Sequence, residues 1–175
     1  MVIAAALAAF LFLGLDSGSG PGSGPVVGVG SEAPTFSVTS LTGGTQVNLD
    51  TVGKDRHRPV VLNFFASWCG PCQEETPLLA TTAKVERTKG STVQFVGVDV
   101  ADKPGNAIPF VSRTGISYPV GVDPDFKVSS GLYGVNGMPS TFFIDSTGHV
   151  IGQHYGPLNR TQLDQYLHQL AGAKG

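Results

Sequence analysis

Cysteine is nearly absent from this sequence, which has two in 175 residues. Two cysteines cannot build a disulfide-stapled scaffold, so the fold has to rest on an apolar core. Tryptophan occurs once and methionine twice. Charge is scarce as well: Asp, Glu, Lys and Arg make up 14 % of the chain, and eleven basic against thirteen acidic side chains leave a net charge of -2. There is no Lys/Arg block, so the electrostatic footprint of a nucleic-acid binder is missing. With 41 % hydrophobic residues, the composition also excludes a chain that is disordered throughout. At roughly 100 to 200 residues per domain, the length allows one domain and a small appendage.

The first 30 residues differ from the rest. Residues 1–15 contain no charged side chain and are almost wholly apolar, which reads as an export or anchor segment. As a helix it would reach about 22 Å, short of the ~30 Å hydrocarbon core of a bilayer. No basic flank precedes it and no Ala-x-Ala-like site follows, so its start is expected upstream. It has no cysteine for lipid attachment. The alternative, a helix packed into the fold, is disfavoured by what comes next. Residues 16–25, DSGSGPGSGP, hold nine Gly, Ser or Pro in ten and are too poor in side chains to pack. Counted through residue 30, this tether would reach about 20 Å.

Residues 31–175 read as the globular domain. Short β-type runs at 35–39 and 45–49 flank Thr42-Gly43-Gly44, a hairpin turn. Residues 59–65, PVVLNFF, form a continuous apolar run, as expected of a strand buried on both faces. A long helix is predicted over 71–89, ended by Gly90 and interrupted by Pro77, which removes a backbone donor. Further strands are predicted at 93–100 and 118–122 around a helix at 107–113, then a short helix near 126–132. Strands at 141–145 and 149–154 turn at Ser146-Thr147-Gly148. A last helix begins near Asn159 or Thr161, with Thr161 and Asp164 at capping-box spacing, and carries Leu163, Tyr166, Leu167 and Leu170 on one face.

The two cysteines sit at the most informative place. Phe64-Phe65-Ala66-Ser67-Trp68-Cys69-Gly70-Pro71-Cys72 puts a C-x-x-C between a predicted strand and a predicted helix. A sulfur at a helix N-terminus faces unpaired N–H groups and the positive end of the dipole, which favours a reactive thiolate at Cys69. Cys72, one turn inside, is expected to be more buried and to resolve the mixed disulfide that Cys69 forms. No cofactor is needed beyond the redox-active disulfide. A zinc site would need two more ligands; His149 and His154 are about 75 residues away and offset by five on a strand, which points them to opposite faces. A purely structural bridge closing so short a loop removes little unfolded-state entropy. Trp68, directly before the thiol, is read as part of a contact surface rather than plain core. His57, His149, His154 and His168 are given no role.

Together with Gly137-Met138-Pro139-Ser140-Thr141-Phe142-Phe143-Ile144-Asp145, this pattern resembles the thioredoxin superfamily, and most closely its TlpA/ResA/CcmG-type branch of membrane-tethered, extracytoplasmic thiol-disulfide oxidoreductases. The resemblance runs from about Ser31 to Ala171. It implies an α/β, thioredoxin-like three-layer fold with a central mixed sheet, an N-terminal β-hairpin and an αβ insertion at about 101–118. It also implies a cis proline at Pro139 beside the cysteines, with Met138, Trp68, Gly70 and Pro71 touching substrate. Where thioredoxins carry a buried Asp, this chain has Asn63. Glu75 shares the helix face of Cys72, unlike Glu74, and matches a functional Glu of ResA-like proteins. Buried, it would have a raised pKa and exchange the Cys72 proton; solvated, it would only favour the helix dipole.

The expected function is therefore reduction of disulfides in exported proteins, such as cytochrome c apoproteins, by a monomer held near a membrane and recharged by a membrane electron donor. Thiol oxidation by the same apparatus is the alternative. A peroxidase is disfavoured because Ala66 stands where peroxiredoxins have Thr or Ser, and a copper binder because the pair is C-x-x-C rather than C-x-x-x-C.

Overall fold

The run after Pro59 becomes the middle of a sheet. In the computed structural model, which describes residues 27–53 and 57–173, strand β3 (Val60–Phe65) is buried along all six residues. It pairs in parallel with β4 (Gln94–Val100) on one side and antiparallel with β6 (Ser140–Ile144) on the other. Strand β5 (Val120–Asp123) adds in parallel to β4, and β7 (Val150–Tyr155) antiparallel to β6, giving the order β5-β4-β3-β6-β7. A separate hairpin of β1 (Ser37–Thr39) and β2 (Gln46–Asn48) turns through Gly43 and Gly44, both at φ 76°, a conformation that glycine adopts without a Cβ clash.

Period-two alternation along β3 sorts the core into two faces. Val60, Leu62 and Phe64 point to a layer made by residues 27–36, the one-turn helix α1 (Leu49–Val52) and the chain around Tyr133. Phe64, Phe142 and Phe36 surround the Tyr133 ring, whose hydroxyl donates to Pro34 O at 2.7 Å. Val61 and Phe65 point the other way, to helices α2 (Gly70–Thr88), α3 (Pro104–Thr114) and α4 (Arg160–Gly172). The fold is thus the mixed α/β, three-layer arrangement with an N-terminal hairpin.

Local details differ from the sequence reading. The segment 126–132 is a series of turns rather than a helix. Phe126 lies in the left-handed region at φ 60°, the buried Asp123 carboxylate takes the N–H groups of Val128 and Ser129 at 3.2 and 2.7 Å, and the i−4 bonds of Ser130 and Leu132 alternate with i−5 bonds of Gly131 and Tyr133, so no regular helical ladder forms. The last helix is capped two residues earlier than the Thr161/Asp164 spacing suggests: Asn159 and Gln162 form the reciprocal box. Val27 to Gly30, read as tether, belong to the packed chain, with Val27 in the core and Gly30 N–H donating to Val150 O at 2.7 Å. The apolar segment 1–15 and the tether to residue 26 lie outside the described residues.

Gly152 marks a close approach. A Cβ there would lie 2.5 Å from the ring of Tyr166, which stacks on Phe143 with centroids 3.9 Å apart. Gly152→Ala should therefore cost about 1 to 3 kcal/mol through overpacking, read as a lowered thermal midpoint. An unchanged midpoint would show that the α4 ring can move freely.

Candidate active site

Helix α2 begins where β3 ends, and its first residues explain why. Cys69 takes the N-cap position, with its Sγ accepting the Cys72 N–H at 3.2 Å as a serine hydroxyl would, and Pro71 supplies a preset φ in the first turn. The cysteines are joined as a disulfide, their Cα atoms 5.2 Å apart. Cys69 is 7 % exposed and Cys72 fully buried, so only one sulfur is within reach of a partner. The Met138–Pro139 bond is cis, and the Met138 carbonyl oxygen lies 3.5 Å from Cys69 Sγ.

Around this pair the surface is apolar. A groove of about 490 Å³ runs beside Cys69 between Trp68, Pro71, Phe126, Val135 and Met138, and no charged side chain lines it. Trp68 is 58 % exposed and holds its edge by donating Nε1–H to Ala101 O at 3.3 Å. Gly70 and Pro71 are exposed, Met138 is half-buried and Pro139 is buried.

Behind the pair lies a buried polar group. Glu75 is 2 % exposed, and its carboxylate accepts the Leu158 N–H at 2.9 Å and the Asn63 Nδ2 amide at 3.1 Å. Asn63 also donates to Thr141 Oγ1 at 2.9 Å, tying β3 to β6. Burial pushes the Glu75 carboxyl up to about 7, against the two donors, which pull it down. The buried form of Glu75 is thus the one present, while Glu74 is exposed. Asn63 occupies the place of the absent acid and serves as the donor that orients Glu75.

Not every residue here was visible in the sequence. Asp99, at the C-terminal end of β4, is 2 % exposed, and Asp102 accepts the Ser67 N–H at 2.7 Å. The signal for Asp99 was an acid inside the apolar run VGVDV, where a parallel strand ends. Phe126 and Val135 reach the groove through a loop whose path no local pattern gives. His149 Nδ1 meets Thr147, and His154 lies edge-on to Tyr166. Among the described residues, no group of three or more His, Cys, Asp or Glu is placed to hold a metal ion.

A five-stranded mixed sheet, a disulfide at the N-terminus of the helix leaving its central strand, and a cis proline beside it define a thiol-disulfide oxidoreductase of the thioredoxin superfamily. Comparisons with known proteins agree. Residues 28–170 match the Redoxin family model. The thiol-disulfide oxidoreductase ResA of Bacillus anthracis is 36 % identical over 143 residues, which cover 81 % of this chain and 78 % of that one. A solved structure assigned as the thiol:disulfide interchange protein DsbE, from Chlorobium tepidum, superimposes with a TM-score of 0.71 at 33 % identity, covering 82 % of this chain and 98 % of that one. A secreted thiol-disulfide isomerase from Corynebacterium glutamicum gives a TM-score of 0.66 at 26 % identity, covering 80 % and 85 %. The chain belongs to the redoxin family and is similar to ResA over most of its length.

Proposed function

We propose that Cys69 and Cys72 are the working couple of an extracytoplasmic reductase of protein disulfides, with exported apocytochromes c among its substrates, held near a membrane through its N-terminal segment. The observation that carries the reading is the pairing of one accessible sulfur at a helix N-terminus with one fully buried sulfur, backed by a buried carboxyl one turn further on.

In the reduced protein the Cys69 thiolate attacks one sulfur of the substrate disulfide, forming a mixed disulfide and releasing the other substrate sulfur as thiolate. The Cys72 N–H and the helix N-terminus stabilise the attacking sulfur. Cys72, deprotonated with Glu75 as the acceptor, then attacks Cys69 Sγ; the substrate's second sulfur leaves, and the Cys69–Cys72 disulfide remains. Two electrons pass to the substrate, and a donor dithiol at the membrane restores the couple. Trp68, Gly70, Pro71, Met138 and Pro139 form the wall against which the substrate chain lies. The apolar segment 1–15 and the secreted status of the Corynebacterium glutamicum relative support placement outside the cytoplasm.

Equilibration of the domain with defined thiol-disulfide buffers tests the direction. A potential near or below roughly -250 mV is expected of a reductant; one near the -120 mV of strong oxidants would make the protein a disulfide donor and overturn the reading.

A further inference from the structure

Strand β4 ends in an acid that the redox cycle does not use. Asp99 stands in register with Phe65 of β3 and Val122 of β5, and its Oδ1 is buried with no hydrogen-bond partner among the described residues. Asp102, three residues further on, is near enough for its carboxyl to raise that of Asp99 by charge and by competition for a proton. Both Asp102 oxygens already accept backbone donors, Ser67 N–H on one and Lys103 N–H on the other, each at 2.7 Å. A second carboxylate at this site would meet only lone pairs. One proton between the two acids resolves the conflict: Asp99 becomes a donor, its orphaned oxygen gains a partner, and a single negative charge is left to hold the Ser67 amide.

We propose that Asp99 and Asp102 share one proton and that this proton positions the Ser67–Trp68 wall beside Cys69. The wall hangs on the 99–102 segment by two bonds, Ser67 N–H to Asp102 and Trp68 Nε1–H to Ala101 O, and Ala101 itself is fixed in the left-handed region at φ 49°. Loss of the shared proton sets two like charges side by side. Asp99 is locked in the strand, so Asp102, half-buried on the loop, is the one to move, taking the Ser67 contact with it. Asp99 and Asp102 are positioning residues: neither lines the groove, and both act through the Ser67–Trp68 wall.

Among the described residues, Asp102 is the charged group that acts on Asp99. β3 and β5 present Phe65 and Val122 in register with Asp99. On α2, Cys72 is held in the disulfide, and Glu75 is turned to Asn63 and Leu158. Next to Asp102, Lys103 is exposed at the N-cap of α3, and Arg113 at the far end of that helix lies over the Phe110 ring. Burial first, and then the charge and hydrogen bond of Asp102, push the Asp99 carboxyl up to about 7.

Trp68 is the chain's single tryptophan, so its emission reports this wall directly. The test uses the oxidised protein, in which no thiolate titrates, excited at the red edge of indole absorption between pH 5 and 9. The wild type should show one step in emission with a midpoint near pH 7. Asp99→Asn, whose amide donates to Asp102 at every pH, should abolish the step or move it beyond pH 9, and Asp102→Asn should also remove it. Glu75→Gln should keep it. A flat wild-type trace, a step that survives both Asp variants, or one lost only in Glu75→Gln overturns the proposal. Asp102→Asn supplies the answer if Asp99→Asn does not fold. The outcome is independent of the redox potential, so this inference and the direction of electron flow fail separately.

Discussion

Cys69→Ser is expected to lower disulfide turnover by about 1,000-fold or more, because exchange requires a thiolate and a serine hydroxyl does not ionise in the working pH range. Cys72→Ser separates the two halves of the cycle. With Cys69 at 7 % exposure and Cys72 at none, the first attack remains possible and the second does not. That variant should accumulate a one-to-one mixed disulfide with its substrate, visible as a mass shift without reductant and lost with it. Retained turnover by Cys69→Ser in a preparation free of other reductases would end the proposed mechanism. So would a Cys72→Ser protein that turns over without trapping substrate.

Glu75→Gln should act on rate and on stability in separable ways. As proton acceptor for Cys72, Glu75 is expected to speed the resolving step by about 100-fold, at the lower end of general acid-base effects. The variant's mixed disulfide should therefore live longer, and the rate profile should lose its inflection near pH 7. The stability effect has a definite sign. The folded carboxyl binds its proton up to about 7, against the ordinary 4.5. Between those values the native state holds a proton that the unfolded chain has released, so stability falls as pH rises through the window and levels off above it. The full fall amounts to about 3 kcal/mol for this group. Asp99, raised from 3.8 to about 7, adds a slope of the same sign. Glu75→Gln should remove one of the two contributions and leave the other. Gln is close to isosteric, and turning over the Asn63 amide, whose Nδ2 now donates to Glu75 and whose Oδ1 lacks a partner among the described residues, would present an acceptor to the new amide. A denaturation midpoint whose pH slope is unchanged in Glu75→Gln would show that Glu75 is ionised throughout.

The sequence was most legible where one requirement dominated. A strand buried on both faces has to be apolar throughout, so PVVLNFF marked the sheet centre, and the C-x-x-C after it marked the site. Glu75 was found because helix spacing fixes which of two adjacent acids follows Cys72. Its partners were not legible: Leu158 N–H and Asn63 reach it from segments 83 and 12 residues away, and long-range hydrogen bonds leave no periodic trace. The turns at 126–132 misled for a related reason. Their composition suits a short helix, but Phe126 is left-handed and the carbonyls of Phe126 and Val128 each take an i−5 as well as an i−4 amide, a winding that tertiary position and not composition decides. The sequence marked Asn159 as a possible helix start but put the box at Thr161/Asp164, whereas the reciprocal bonds form between Asn159 and Gln162.

The course of the chain just after Val27 gives the domain a direction. Glu32 forms a β-bridge with His149, and Ala33 N–H donates to Gly148 O, so the N-terminal segment is clasped to the turn between β6 and β7. That turn follows Ile144, whereas the cis proline precedes Ser140 at the other end of the same strand. Register places Ile144 beside Val60 and Ser140 beside Phe64, so the cysteines sit at the opposite pole, a strand length of about 20 Å away. The described chain therefore enters the domain at the pole opposite the reactive sulfur. Whatever the N-terminal segment is joined to would then be held at the pole opposite Cys69, and the face that meets a substrate would be left clear of it.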